Sequence, residues 1–108
     1  MGPTTLPEEA VAEMRRHKIS QLPVIDGRNA VGSLSERTIT NLIRSGRRPT
    51  DFSRIRVKQV MEEPFPTVDE RAPVYLAAGL LQHYAAVLAP VNGEIQRIVT
   101  KSDILKRV

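Results

Sequence analysis

Apolar positions near the start of the chain recur at helical spacing. In PEEAVAEMRRHK (residues 7–18), Ala10, Val11 and Met14 form one stripe, which predicts an amphipathic helix. Pro7 suits its first turn, Glu8 and Glu9 its positive end, and Arg15, Arg16 and Lys18 its negative end. QLPVID (21–26) is a short apolar run closed by Asp26-Gly27, the pattern of a buried strand entering a tight turn. Ala30 to Leu34 form a second strand, and Ser35 then starts a helix through SERTITNLIRSG that Gly46 ends. Residues 47–56, RRPTDFSRIR, show no period and carry Pro49, so they read as a connector. VKQVMEE makes a turn of helix before Pro64 and Pro66. A strand around Thr67-Val68 follows, then a helix from about Pro73 to His83, a strand AVLA (86–89), a turn at Asn92-Gly93, a strand EIQRIV and a last helix TKSDILKRV (100–108).

Laid out in this way, the chain repeats itself. Each half runs helix, strand, turn, strand, Ser/Thr-capped helix. Ala10 falls on Ala77, Pro23-Val24 on Ala86-Val87, and Ser35 to Ile39 on Thr100 to Ile104. A single β-α-β-β-α unit exposes a sheet face that it cannot bury alone. The expected class is therefore α/β, with two such units packed through their sheets about a pseudo-twofold axis. The expected divisions are a first repeat over 1–46, the connector over 47–56 and a second repeat over 57–108. The second half has a leading segment, PFPTVDE, whose counterpart in the first half would lie upstream of Met1. This predicts either a truncated chain or a strand borrowed from a neighbour. Pro90 lies where a central strand is expected, which argues for an edge or a bulge.

Composition narrows the chemistry. With 108 residues, 41% hydrophobic, no Trp and few aromatics, the core must be built from aliphatic side chains and Met, and Met14 and Met61 read as fillers. No apolar run reaches the roughly 20 residues of a membrane helix, and the first residues carry no secretory pattern, so a cytoplasmic protein with no membrane partner is expected. Cysteine is absent, which removes disulfides, thiolate nucleophiles and Cys-ligated zinc. The net charge of +4 is mild. It is concentrated at Arg44, Arg47, Arg48, Arg54, Arg56 and Lys58, a stretch with no interleaved aromatics to stack bases and so read as a solvated linker. Direct nucleic-acid binding is accordingly not expected, although an attached domain could supply it. No Gly-x-Ser-x-Gly, no phosphate-binding loop and no His beside a nucleophile is present, so catalysis is not expected. Glu62-Glu63, before Pro64, reads as a solvated turn.

Thr100 and Asp103 admit two compatible readings. They are placed as the N-cap and third residue of a helix. They are equally placed to hold a ligand there, because helix-start N–H groups suit phosphate and a carboxylate can accept from two neighbouring hydroxyls at once.

The stretches ISQLPVIDGRNAVGSLSERTI and VKQVMEEPFPTVDERAPVY…AAVLAPVNGEIQRIVTKSDILK resemble a tandem CBS-domain pair, or Bateman module, over nearly the whole chain. The variant is similar to regulatory pairs of archaeal helix-turn-helix regulators and of cystathionine β-synthase tails. The resemblance implies a non-catalytic sensor, without a catalytic cofactor, that binds AMP, ADP, ATP or S-adenosylmethionine between its repeats. The family motif is Gly-h-x-Thr/Ser-x-x-Asp/Asn. Carried over, it implies Thr100, Lys101, Ser102 and Asp103 with Ile98 beneath the base, and Ile19 and Ser20 from the first half. In the twin motif Ser35 keeps the hydroxyl but Thr38 replaces the acid. Ser35, Arg37 and His83, set at the place of Ser20, are left to accept an anion. The motif glycine is Gly32 in the first half and Arg97 in the second, where the cation either pairs with a phosphate or fills the cleft. A homodimer is also implied. The alternative is a CBS pair without ligand that serves as a dimerisation unit.

Overall fold

The computed structural model describes residues 1–46 and 48–106. Arg47 of the basic stretch, and Arg107 and Val108 of the last expected helix, lie outside the described residues. The chain divides into two compact units, Met1–Pro64 and Phe65–Val108.

The first unit contains α1 (Pro7–His17), β1 (Gln21–Asp26), β2 (Asn29–Ser35) and α2 (Glu36–Arg44), followed by 3₁₀ turns at Pro49–Arg54 and Val57–Gln59. The second contains α3 (Val74–Leu80), β3 (Val87–Val91), β4 (Glu94–Val99) and α4 (Lys101–Leu105). The strands pair antiparallel, β1 with β2 and β3 with β4. Asn92 and Gly93 both adopt positive φ, 54° and 80°, which is the backbone of a tight hairpin turn.

The two hairpins share their irregularities. Each shifts register once, between Val24 and Ile25 and between Ala89 and Pro90. An edge or a bulge was expected at Pro90; the register does shift there, and the matching shift beside Val24 shows that it belongs to the repeat. Val24 pairs with Gly32 and Ala89 with Arg97. The ladders thus place Pro23-Val24 on Leu88-Ala89, two residues beyond the match read from the sequence. The cause is the hairpin itself: its register is the same in both repeats, so setting Ser35 on Thr100 carries Pro23 onto Leu88. α1 runs 11 residues and α3 only 7, because after Gly79 the helix tightens into turns, with Gln82 N–H bonded to Gly79 O (3.3 Å) and His83 N–H to Leu80 O (3.0 Å). The helix expected up to His83 ends early for that reason.

A short parallel contact precedes α3, where Leu88 N–H donates to Pro66 O (2.8 Å) and Val68 N–H to Leu88 O (2.9 Å). In the first unit Ile25 N–H donates to Met1 O (2.9 Å). Pro90, the ladder equivalent of Ile25, has no N–H for such a bond.

Ala10, Val24, Leu34 and Val57 are fully buried together, with Met1, Leu22, Val31, Val60 and Met61 packed against them. Val57 joins this core because its N–H is held by Thr5 O (2.8 Å) and that of Lys58 by Pro3 O (2.9 Å). In the described part of the segment read as a connector Phe52 and Ile55 are buried, while Arg44, Arg48, Arg54, Arg56 and Lys58 are exposed. Packing places 57–64 with the first unit, where the sequence leads one to expect the second repeat from 57.

After the second 3₁₀ turn the chain crosses β2. Ser33 N–H donates to Glu62 O (3.0 Å) and Glu62 N–H to Ser33 O (2.9 Å), forming an antiparallel bridge. The crossing depends on Gly32. A Cβ at that position would lie 2.4 Å from Met61 Sδ, 2.7 Å from Met61 Cγ and 3.0 Å from Glu62 O. Overpacking of this kind costs about 1–3 kcal/mol, so Gly32→Ala should lower the urea midpoint accordingly. Because the Met61 side chain is the closest obstacle, Met61→Ala should recover part of that loss in the double variant. An unchanged midpoint for Gly32→Ala would mean that the crossing is looser than these distances require.

Candidate functional site

Each unit presents a helix start with a hydroxyl N-cap, and the two are wired differently. At α4, the carboxylate comes from the motif itself. Thr100 N–H donates to Asp103 Oδ2 at 2.8 Å, and the Thr100 hydroxyl donates to the same oxygen at 3.1 Å. The two residues therefore do form the capping pair that their spacing suggests. Only one carboxylate oxygen is used: Oδ1 accepts no hydrogen bond among the described residues. Lys101 and Ser102, in the first turn, are exposed, and Asp103 is half-buried.

At α2 the motif has Thr38 in place of the acid. Ser35 N–H donates to Thr38 Oγ1 (3.1 Å), and Thr38 N–H donates to Ser35 Oγ (3.3 Å). The Thr38 hydroxyl then donates to Glu62 Oε1 at 2.7 Å, while Arg37 Nη2 donates to Glu62 Oε2 at 2.8 Å. A carboxylate from 24 residues downstream thus stands one hydroxyl away from the helix start. The reading of Glu62-Glu63 as a solvated turn is corrected here for Glu62. Its backbone is paired to β2, its side chain is bound to α2, and the neighbouring Glu63 carbonyl accepts from Ser33 Oγ at 2.6 Å. The hydrogen bond from Thr38, and after it that from Arg37, hold the Glu62 carboxyl below the usual carboxylate range, against a smaller opposing effect of burial. No local spacing announces these contacts. The sequence signals were the Thr at the acid position and an unexplained carboxylate.

The remaining expected site residues lie as follows. Ile19 is half-buried and, with Val11, Met14 and Ile39, supplies the apolar lining of a pocket of about 340 Å³ whose polar lining is Arg15, Glu36 and Thr40. Ser20 is exposed, and its carbonyl accepts from Glu36 N–H at 3.0 Å, tying the residue to the start of α2. Ile98 pairs with Leu88 on β4 and is 37% exposed. Arg97 does occupy the ladder position of Gly32 and is exposed. Among the described residues no isolated bridge joins β4 to a third segment, whereas Glu62 bridges β2. His83 is not the equivalent of Ser20. Ser20 immediately precedes Gln21, which pairs with Ser35, and the corresponding place in the second hairpin belongs to Ala85. Nor is Arg37 left over for an outside anion, since it is paired with Glu62. Among the described residues no group of three or more His, Cys, Asp or Glu could hold a metal ion, and no helix is long and apolar enough to cross a membrane.

The CBS domain matches the chain twice, over residues 2–45 and 57–108. None of the curated proteins matches it. Among solved structures, the chain is similar to the CBS domain NE2398 (TM-score 0.85, 20% identity, 99% of this chain and 84% of that one). It is also similar to the CBS-domain-containing protein ATU1752 from Agrobacterium tumefaciens (0.83, 20%, 100% and 82%). A third similar structure is CBSX2 in complex with AMP (0.79, 21%, 99% and 84%). The mixed α/β class and the tandem repeat expected from the sequence are borne out by these matches.

The depressed Glu62 pKa has a consequence for stability. A group whose folded pKa lies below its unfolded value stabilises the fold above the unfolded pKa, about 4.3 for Glu, and that contribution is lost as pH falls through the folded value. Melting temperatures of the chain and of Glu62→Gln should therefore differ at neutral pH, begin to converge as the pH falls below the unfolded value, and meet once it has fallen through the folded one. A pH-independent difference would remove the carboxylate's charge from the account.

Proposed function

The chain belongs to the CBS-domain family, and on that footing we propose that it is a non-catalytic regulatory module in which the second motif binds an adenosyl ligand: AMP, ADP, ATP or S-adenosylmethionine. The observation that carries this reading is the half-used carboxylate of Asp103. Oδ2 is committed to Thr100, and Oδ1 is uncommitted among the described residues. A carboxylate oxygen of this kind accepts from ribose hydroxyls. Thr100, Ser102 and Lys101 surround the same helix start with two hydroxyls and a cation suited to phosphate. Ile98, with more than a third of its surface exposed, is the apolar residue assigned to the adenine ring. The AMP complex of CBSX2 supports the choice of ligand class.

In this reading binding acts by population shift. A ligand that favours one arrangement of the two repeats transmits its presence to an attached domain or partner in the cytoplasm. The repeats in turn pack as a homodimer through their helices. Val74, Tyr75 and Leu76 at the start of α3, and Leu105 on α4, are apolar side chains left 43–71% exposed, which is the surface such packing needs.

A second reading, a pair that dimerises without ligand, is favoured by Arg97 standing in the place of the motif glycine. Calorimetry and thermal shift with AMP, ATP and S-adenosylmethionine separate the two. In the ligand reading, AMP at about 100 times its Kd stabilises the fold by about 2.7 kcal/mol. Asp103→Ala weakens binding about tenfold or more, and Asp103→Asn, which keeps an acceptor for the helix cap, controls for folding. Absence of binding at millimolar ligand, or binding indifferent to Asp103→Ala, would sink the assignment and leave the second reading. Sedimentation should find a dimer in either case, shifted towards monomer by Tyr75→Asp. A monomeric parent chain would count against both.

A further inference from the structure

The groups that meet at the start of α2 are those that bind oxyanions. Arg37 offers a guanidinium whose side chain is 77% exposed, and Thr38 and Ser35 offer hydroxyls at the first turn of a nine-residue helix. Both Arg37 and Thr38 are already engaged by one anion, and that anion belongs to the chain. Glu62 receives the Thr38 hydroxyl on Oε1 at 2.7 Å and Arg37 Nη2 on Oε2 at 2.8 Å.

The carboxylate is not held by its side chain alone. Residue 62 is hydrogen-bonded to Ser33 in both directions, at 3.0 and 2.9 Å, and Ser33 Oγ fastens the next carbonyl at 2.6 Å. Gly32 lets the segment lie close against β2. The backbone therefore keeps the carboxylate beside Arg37 and Thr38 at an effective concentration far above that of any anion in solution. An incoming phosphate would have to displace it, or stand next to its charge and be repelled. At α4 the arrangement is the reverse. The acid is part of the helix, its second oxygen is uncommitted among the described residues, and Lys101 is exposed.

We propose that Glu62 is an internal ligand that closes the first repeat's motif to phosphate and other oxyanions, and that Arg37, Thr38 and Ser35 form a masked oxyanion site. The two repeats then divide their work. The first spends its anion-binding groups on tethering the segment that leaves the unit, and the second keeps its own for a ligand from outside. The inference concerns the other repeat from the one assigned to the adenosyl ligand, and it stands without that assignment.

The test uses the full chain, inorganic phosphate as probe, and the Thr38 amide and Arg37 guanidinium resonances as readouts. In the unmodified chain neither should shift saturably with phosphate, and a saturable shift there would overturn the proposal without recourse to any variant. In Glu62→Ala both should shift, with phosphate affinity raised about tenfold or more as the competing charge is removed. That gain should vanish in Glu62→Ala/Arg37→Ala. Glu62→Gln preserves the backbone bridge and an acceptor for Thr38, so it provides the same comparison if the alanine variant unfolds, with a smaller gain. A folded variant that gains no phosphate affinity, or a gain that survives loss of Arg37, would equally overturn it. Failure of AMP to bind at Asp103 would leave all of these readouts in place.

Discussion

The crossing of β2 by residues 61–63 is the constraint on which the first unit depends. Two backbone hydrogen bonds between Ser33 and Glu62 fasten the outgoing segment to the hairpin, and they bring three further consequences. Gly32 must have no side chain, because Met61 and Glu62 occupy the space. Val60 and Met61 are packed against the core of Ala10, Val24, Leu34 and Val57. The Glu62 carboxylate is delivered to the first turn of α2. An isolated two-stranded hairpin is marginal in water, so this added segment is part of what lets a 64-residue unit hold together.

The same crossing explains how two copies of one motif come to differ. In the first repeat a glycine, a threonine and a distant glutamate stand where the second has an arginine and its own aspartate. The substitutions are coupled. Where a segment crosses the strand, glycine is required. In the second repeat, where among the described residues no isolated bridge joins β4 to a third segment, Arg97 is exposed and Ile98 partly exposed. Thr38 in place of the acid is likewise matched by Glu62, since a carboxylate at both positions would set two like charges side by side. The contribution of the Arg37 ion pair itself is small, within about 1 kcal/mol for so exposed a partner. Its value lies in where it holds the carboxylate.

Local patterns made most of the fold legible. β1 spans the residues that QLPVID marks, Ser35 and Thr100 cap the helices that their spacing announces, and the register shifts at Pro90, where an edge or a bulge was expected. The capping reading of Asp103 was also legible, because donor and acceptor lie three residues apart. What escaped was either longer in range or a matter of register. The match between repeats slipped by two residues because strand register is set by cross-strand pairing, which composition does not show. Phe52 and Ile55 looked like parts of a connector because no period links them to α1.

By itself, then, the sequence determined the elements, the tandem repeat, the family it resembles and the half of the motif in which acid and hydroxyl are neighbours. Those features depend on hydrogen bonds and apolar spacings within a turn or two of the chain. Only the tertiary structure decided the fate of the other motif. Glu62 and Thr38 meet across 24 residues through a strand crossing, and nothing in either residue's surroundings in the sequence names its partner. An acceptor that looked solvated is instead the carboxylate that the first helix start lacks.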